Sequence, residues 1–190
     1  MSVIDRRNRA RSQIAAQWVD SQDSVLASMA RGVMQHHHDD RWFHQSESFA
    51  RLSTTFAVQL RSFVLEGHQA GFLGHIAVEL LLDAVLVERV PERLDAYYNA
   101  LLQLDADLVE ETASRLLPRP VERLRLLIPR FIAERFLADY ADDQRLWGRL
   151  NHVMRRVGLA PLPTTVIAWL GIARERVRDE ADSLLDATTS

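Results

Sequence analysis

The chain is predicted to be all-α, a single compact bundle of about seven to eight helices built around a buried central one. Apolar residues recur at three- and four-residue spacing along nearly the whole length, which is the period of an amphipathic helix. No stretch alternates β-branched and polar residues as a half-buried strand would. The breakers are few, with 7 glycines and 6 prolines in 190 residues.

Helices are expected near 8–19, 23–43, 47–66, 71–88, 92–115, 120–139, 142–157 and 164–186. Several boundaries carry a physical reason. Gly67 suits a helix end, with Gly71 and Gly74 near the start of the next. Pro91, after "LVERV", fits the first position of a helix, where its missing N–H costs nothing. "LLPRP" interrupts the chain at 116–120, and "GLAPLP" at 158–163 reads as a loop, after which Thr164 or Thr165 can cap the last helix. Pro129 is expected to kink or split "LRLLIPRFIAERF". No repeat or linker divides the chain, so residues 1–190 read as one domain with 1–8 and 187–190 frayed.

Composition excludes several kinds of chemistry. Apolar residues make up 47% and charged residues 26% of the chain, and the net charge is -3, the balance of a soluble domain with no global attraction to nucleic acid or an anionic membrane. The polar start "MSVIDRRNRARSQ" resembles neither a secretory leader nor a membrane span, and a cytoplasmic location is the expectation. Cysteine is absent, which removes disulfides, thiolate nucleophiles and Cys-ligated metals. All 23 basic residues are arginine, so Schiff-base chemistry and a phosphate-loop lysine are removed as well.

Polar groups in the most apolar segment are the main functional signal. "GHIAVELLLDAVL", residues 74–86, carries His75, Glu79 and Asp83, each four residues from the next. The middle of this helix is otherwise Ile, Ala, Val and Leu on every side, the pattern of a buried helix. At about 100° per residue, i, i+4 and i+8 share one stripe. "RGVMQHHHDDRWFHQ", residues 31–45, repeats the spacing with His36, Asp40 and His44. If the two stripes face each other across a groove, three histidines and three carboxylates converge, a set suited to Zn, Fe or Mn. The rise from i to i+8 is about 12 Å, so one ion cannot take both ends of a stripe. One or two divalent ions are therefore expected. The plainer reading is a structural ion-pair line on the first stripe and a solvated run on the second, with His37, His38 and Asp39 facing water. On that reading Asp83→Asn destabilises by breaking a buried pair.

These residues resemble the acyl-carrier-protein phosphodiesterase family, a relative of the HD-type metal phosphohydrolases. That family has a glycine, a short gap, a H-x-x-x-D-x-x-x-D line leading into a helix, and later a D-x-x-x-D-H-F-L segment. "GVMQHHHDDRWFHQSESFARL" is similar to the first, matching at His36 and Asp40 with His44 in place of the third carboxylate. "ELLLDAVL" is similar to the second, with Glu79 and Asp83 at the two Asp positions and Ala84 where the family has His. "RFLADYADDQRLWGRLNHVMRRVGLAPL" resembles the later helix pair. The opening departs: "QIAAQWVDSQDSV" stands where the family has an Ala-His and a "GDFV"-like motif, with Asp20 or Asp23 as the substitute for its Asp. The resemblance spans residues 30–165 as a spacing pattern, and it implies an all-α fold, a divalent-metal site and a holo acyl carrier protein as partner.

The expected function is accordingly metal-dependent hydrolysis of a phosphoester, with a phosphodiester favoured. His36, Asp40, Glu79 and Asp83 would hold metal, and His44 and His75 would be further ligands or the acid–base pair. A metal-bound water supplies the nucleophile, and Arg41, Arg51, Arg155 or Arg156 could clamp phosphate. Ser46, Ser48 and Ser53 lie near His44 without the nucleophile-elbow pattern of a serine hydrolase. Trp18, Trp42, Trp147 and Trp169, with Phe43, Phe49, Phe56 and Phe63, read as core rather than as a cofactor box. The alternative is a non-catalytic helical metal-binding or interaction module, a homodimer through "VIAWLGIARERV" being one form of it.

Overall fold

A computed structural model describes residue 8 and residues 10–63 and 67–186. Among the described residues the secondary structure is helical throughout, with no strand. The helices are α1 (Ser12–Ala15), α2 (Ser24–Gln45), α3 (Glu47–Arg61), α4 (Gly67–Arg89), α5 (Glu92–Leu102), α6 (Ala106–Leu116), α7 (Leu124–Glu134), α8 (Asp143–Val157) and α9 (Thr165–Leu184), with 3-10 turns at Ala16–Trp18 and Phe136–Ala141. The all-α expectation holds, with more and shorter helices than expected.

The extra breaks have local causes. The segment expected as one helix over 92–115 is two, because the Asp105 carboxylate accepts the amides of Asp107 and Leu108 and starts α6 afresh. The segment 120–139 breaks at Arg135, which adopts a left-handed conformation at φ 41°, and not at Pro129, which lies inside α7. Gly67 opens α4 rather than closing α3, so Gly71 and Gly74 fall inside the helix. Pro91, expected at the first helical position, instead immediately precedes α5, and the carbonyls of Val90 and Pro91 accept the amides of Arg93 and Leu94. Gly158, at φ 76°, ends α8, and Leu159 N donates back to Met154 O at 2.9 Å, the backbone closure that a left-handed glycine permits. Thr164 precedes α9, but its hydroxyl makes no cap. Asn8, placed in the frayed start, is held by two hydrogen bonds to the Arg119 backbone. Residues 1–7 and 187–190, expected to fray, and residues 64–66, expected to end the 47–66 helix, lie outside the described residues.

The described chain divides into two compact units, Met1–Trp42 with Tyr97–Glu134, and Phe43–Ala96 with Arg135–Ser190. In the first, Leu26 and Ala30 of α2 pack with Ala15 and Leu116, and Ala113, Leu117, Val121 and Leu124 close a second small cluster. In the second, α4 packs against α3 and α9. Leu73, Ala77, Val78, Leu81, Ala84 and Val85 of α4 are all within 1% of complete burial. Burial of each larger side chain among them contributes roughly 1.5–3 kcal/mol. α4 is long and apolar enough to cross a membrane, yet half of its most apolar stretch is buried inside the protein, as befits a core helix. The apolar face of "VIAWLGIARERV" is also spent on this core: Val166, Trp169, Leu170, Ala173 and Val177 are buried, and Ile172 faces out. That face is therefore not free to make the homodimer contact expected of it.

Gly74 sets how closely α3 and α4 approach. A Cβ there would lie 2.7 Å from both Ala57 N and Ser53 O, backbone atoms that cannot rotate away. Gly74→Ala is expected to force the helices apart and cost about 1–3 kcal/mol. Gly71, one turn earlier, has open space around its Cβ position. Gly71→Ala is expected to be neutral or to stabilise by up to about 1 kcal/mol through helix propensity. Thermal melting of the two variants beside wild type checks the pair; equal effects would show that the close approach is not a constraint.

Candidate metal centre

The second unit brings together three of the six side chains singled out in the sequence. α2 ends in this unit, and His44 lies in its last turn; His75 and Glu79 occupy successive turns of α4. His44 Nε2 donates to Glu79 Oε1 at 2.9 Å. His75 Nε2 lies 3.1 Å from the same oxygen. One ligand atom from each residue lies within 4.8 Å of the others, the one such group of His, Asp and Glu among the described residues. The rings of His44 and His75 sit 4.8 Å apart.

The cluster is open on one side. Side-chain exposure is 28% for His44, 36% for Glu79 and 46% for His75. The polar line of α4 thus runs along the less buried edge of a core helix rather than through its buried face. Metal–nitrogen and metal–oxygen bonds of about 2.0–2.2 Å hold neighbouring ligand atoms roughly 3–3.5 Å apart. The two nitrogen–oxygen separations match that scale. If this group held an ion, two imidazoles and one carboxylate would leave positions for water or substrate, as catalytic zinc and non-haem iron sites do.

The remaining expectations fall elsewhere. His36 and Asp40 are exposed residues of the first unit and do not belong to the three-residue group. His37, expected to face water, is half-buried and donates from Nε2 to Ala10 O at 2.7 Å. Asp23 is used structurally: one oxygen caps α2 through the amides of Val25 and Leu26, and the other accepts from Arg115 at 2.6 Å. Arg51 is engaged by both oxygens of Glu180, which removes it as a phosphate clamp. Ser46 is buried beneath the cluster, accepting from Phe49 N and donating to Phe43 O. Phe49, read as plain core, touches both imidazoles at 4.8 Å between ring centroids.

Asp83, one turn beyond Glu79, has no hydrogen bond or ion pair among the described residues. Burial, and secondarily the negative charge of Glu79, raise its carboxyl to about 6. The plainer reading of an ion-pair line is corrected at Asp83: its charged neighbour among the described residues is another carboxylate. Asp83 retains exposed surface even though protein crowds its carboxyl, and solvent screening limits what the shift contributes to stability.

The direction follows from linkage. The folded protein holds the Asp83 proton more tightly than the unfolded chain, so this contribution is fully present below about pH 4 and is lost as pH rises to about 6. In metal-free protein Asp83→Asn is expected to stabilise at pH 7, by no more than about 1 kcal/mol after screening. It should also flatten the slope of stability between those pH values. Denaturant unfolding of both proteins from pH 4 to 7 checks it; a destabilised variant at pH 7 would mean that Asp83 has a favourable partner.

No known protein family matches the chain, and neither does any curated protein or solved structure.

Proposed function

We propose that the chain is a metal-dependent hydrolase whose divalent ion is held by His44, His75 and Glu79. The observation that carries this reading is the placement of two imidazole nitrogens at 2.9 and 3.1 Å from one carboxylate oxygen, on an open edge of a well-packed unit. A bound Zn, Fe or Mn ion would supply a water acidified towards neutrality. Glu79 would contribute charge to such a site, and His44 and His75 would serve it as neutral ligands, which leaves neither free to act as the acid–base pair. Asp83 lies about 6 Å further along the α4 axis. A cation one turn away would favour its ionised form, so beside a bound ion Asp83 would serve as a proton acceptor or as further negative charge at the site.

The substrate class, a phosphodiester borne by a holo acyl carrier protein, rests on the spacing likeness to acyl-carrier-protein phosphodiesterases at Glu79 and Asp83; His36 and Asp40, the exact matches of that likeness, lie outside the three-residue group. A second reading is a non-catalytic helical module. It is favoured by the hydrogen bond that already joins His44 to Glu79, since the cluster can be satisfied without an ion.

Elemental analysis of protein purified without a histidine tag, followed by melting with chelator and with Zn²⁺, Mn²⁺ or Fe²⁺, tests metal binding. Turnover of a generic aryl phosphodiester with added Mn²⁺ tests catalysis. Wild type is expected to gain stability with metal, because an ion held only by the folded state adds its binding energy to folding. Glu79→Gln is expected to lose that gain and to reduce turnover by at least about 100-fold. Metal binding without turnover would favour the non-catalytic module, and indifference to every ion would overturn the metal site.

A further inference from the structure

We propose that Phe49 is a positioning residue for the metal centre, its buried ring locking both imidazoles with their Nε2 atoms turned onto Glu79. This rests on the metal reading above and adds a residue outside the ligand set.

A histidine ligand is useful only if its ring cannot turn away from the ion. The usual device is a hydrogen bond to the second ring nitrogen. His75 has no such bond among the described residues; its imidazole meets Glu79, His44 and Phe49. Packing is what remains to fix the ring. The Phe49 ring meets that of His75 edge to face, at 84° and 4.8 Å between centroids. It meets that of His44 at 56° and the same distance. One aromatic side chain therefore restrains both rings, in arrangements that aromatic pairs favour.

Phe49 is itself well held. It is 3% exposed, and the Phe43 ring packs against it at 4.9 Å. Its amide donates to Ser46 Oγ, whose hydroxyl in turn donates to Phe43 O, tying the end of α2 to the start of α3. The ring is thus fixed from its own backbone outward. Leucine at this position would keep an apolar filling but lose the flat face and edge that restrain the two imidazoles.

The test compares Phe49→Leu with Phe56→Leu. Phe56 is a buried phenylalanine of the same helix that packs on Trp169 instead of on the imidazoles. Zinc affinity is measured by calorimetry, ligand geometry by the visible absorption of the Co²⁺-loaded protein, and folding by thermal melting. Phe49→Leu is expected to bind zinc about tenfold more weakly and to shift the Co²⁺ spectrum, the scale on which partners outside the coordination sphere act. Phe56→Leu is expected to melt lower and leave both readouts unchanged. Phe49→Met, which preserves more of the volume, carries the same expectation if the leucine variant does not fold. Wild-type affinity and spectrum in the Phe49 variants would overturn the positioning role and leave the metal site standing. Equal weakening in both helix positions would overturn it in favour of general loosening. Wild type that binds neither ion would overturn the metal site, and this role with it.

Discussion

The contact of α3 with α4 at Gly74 is the constraint on which the second unit depends. Two helices whose backbones nearly touch leave no room for a side chain between them, and the separation is set by the absent Cβ. The next residue is His75, so the same contact fixes where that imidazole leaves α4. From α3 it meets the edge of Phe49, and from the end of α2 it meets His44. Core packing and site geometry are consequences of one close approach. A looser pair of helices would keep the hydrophobic burial and lose the registration of the three polar groups.

The helical character was legible because it depends on a period that every segment repeats. The breaks were less so. In "ALLQLDADLVEE" apolar residues continue at helical spacing through Gln103 and Leu104, and the carboxylate cap of Asp105 works against that periodicity without a glycine or proline to announce it. Arg135 in a left-handed conformation leaves no mark in the sequence at all, since arginine has no preference for it. Conversely, Pro129 is an audible signal that the fold overrides: α7 accommodates it, as helices held by tertiary contacts can.

The candidate site was legible as two lines, of which the structure brings three residues together. Spacing of four puts side chains on a common face, but it does not say at which turn a second helix arrives. The end of α2 meets α4 at the level of Glu79, so His44 takes part while Asp83, one turn on, lies outside the cluster. Phe49 was hidden for a different reason: an aromatic residue on the buried face of an amphipathic helix serves the core wherever it occurs, and only its neighbours show that it also touches two imidazoles.

The charge balance of α4 gives the metal reading its physical weight. Arginine is abundant, yet in this unit it is spent elsewhere: Arg51 on Glu180, Arg178 on Glu88 and Glu175, Arg174 on Asp143. Among the described residues no arginine pairs with Glu79 or Asp83. Two carboxylates one turn apart on an apolar helix therefore rely on other means. A proton relieves Asp83 only below about pH 6, and at neutral pH its charge stays uncompensated. Glu79 is relieved by imidazole nitrogens, which are weak compensation when neutral. A divalent cation at the two nitrogens and Glu79 would balance both carboxylates at once and would draw the Asp83 carboxyl back towards its ionised form. The metal-free α4, a core helix that carries two carboxylates, would then be an unfinished charge balance.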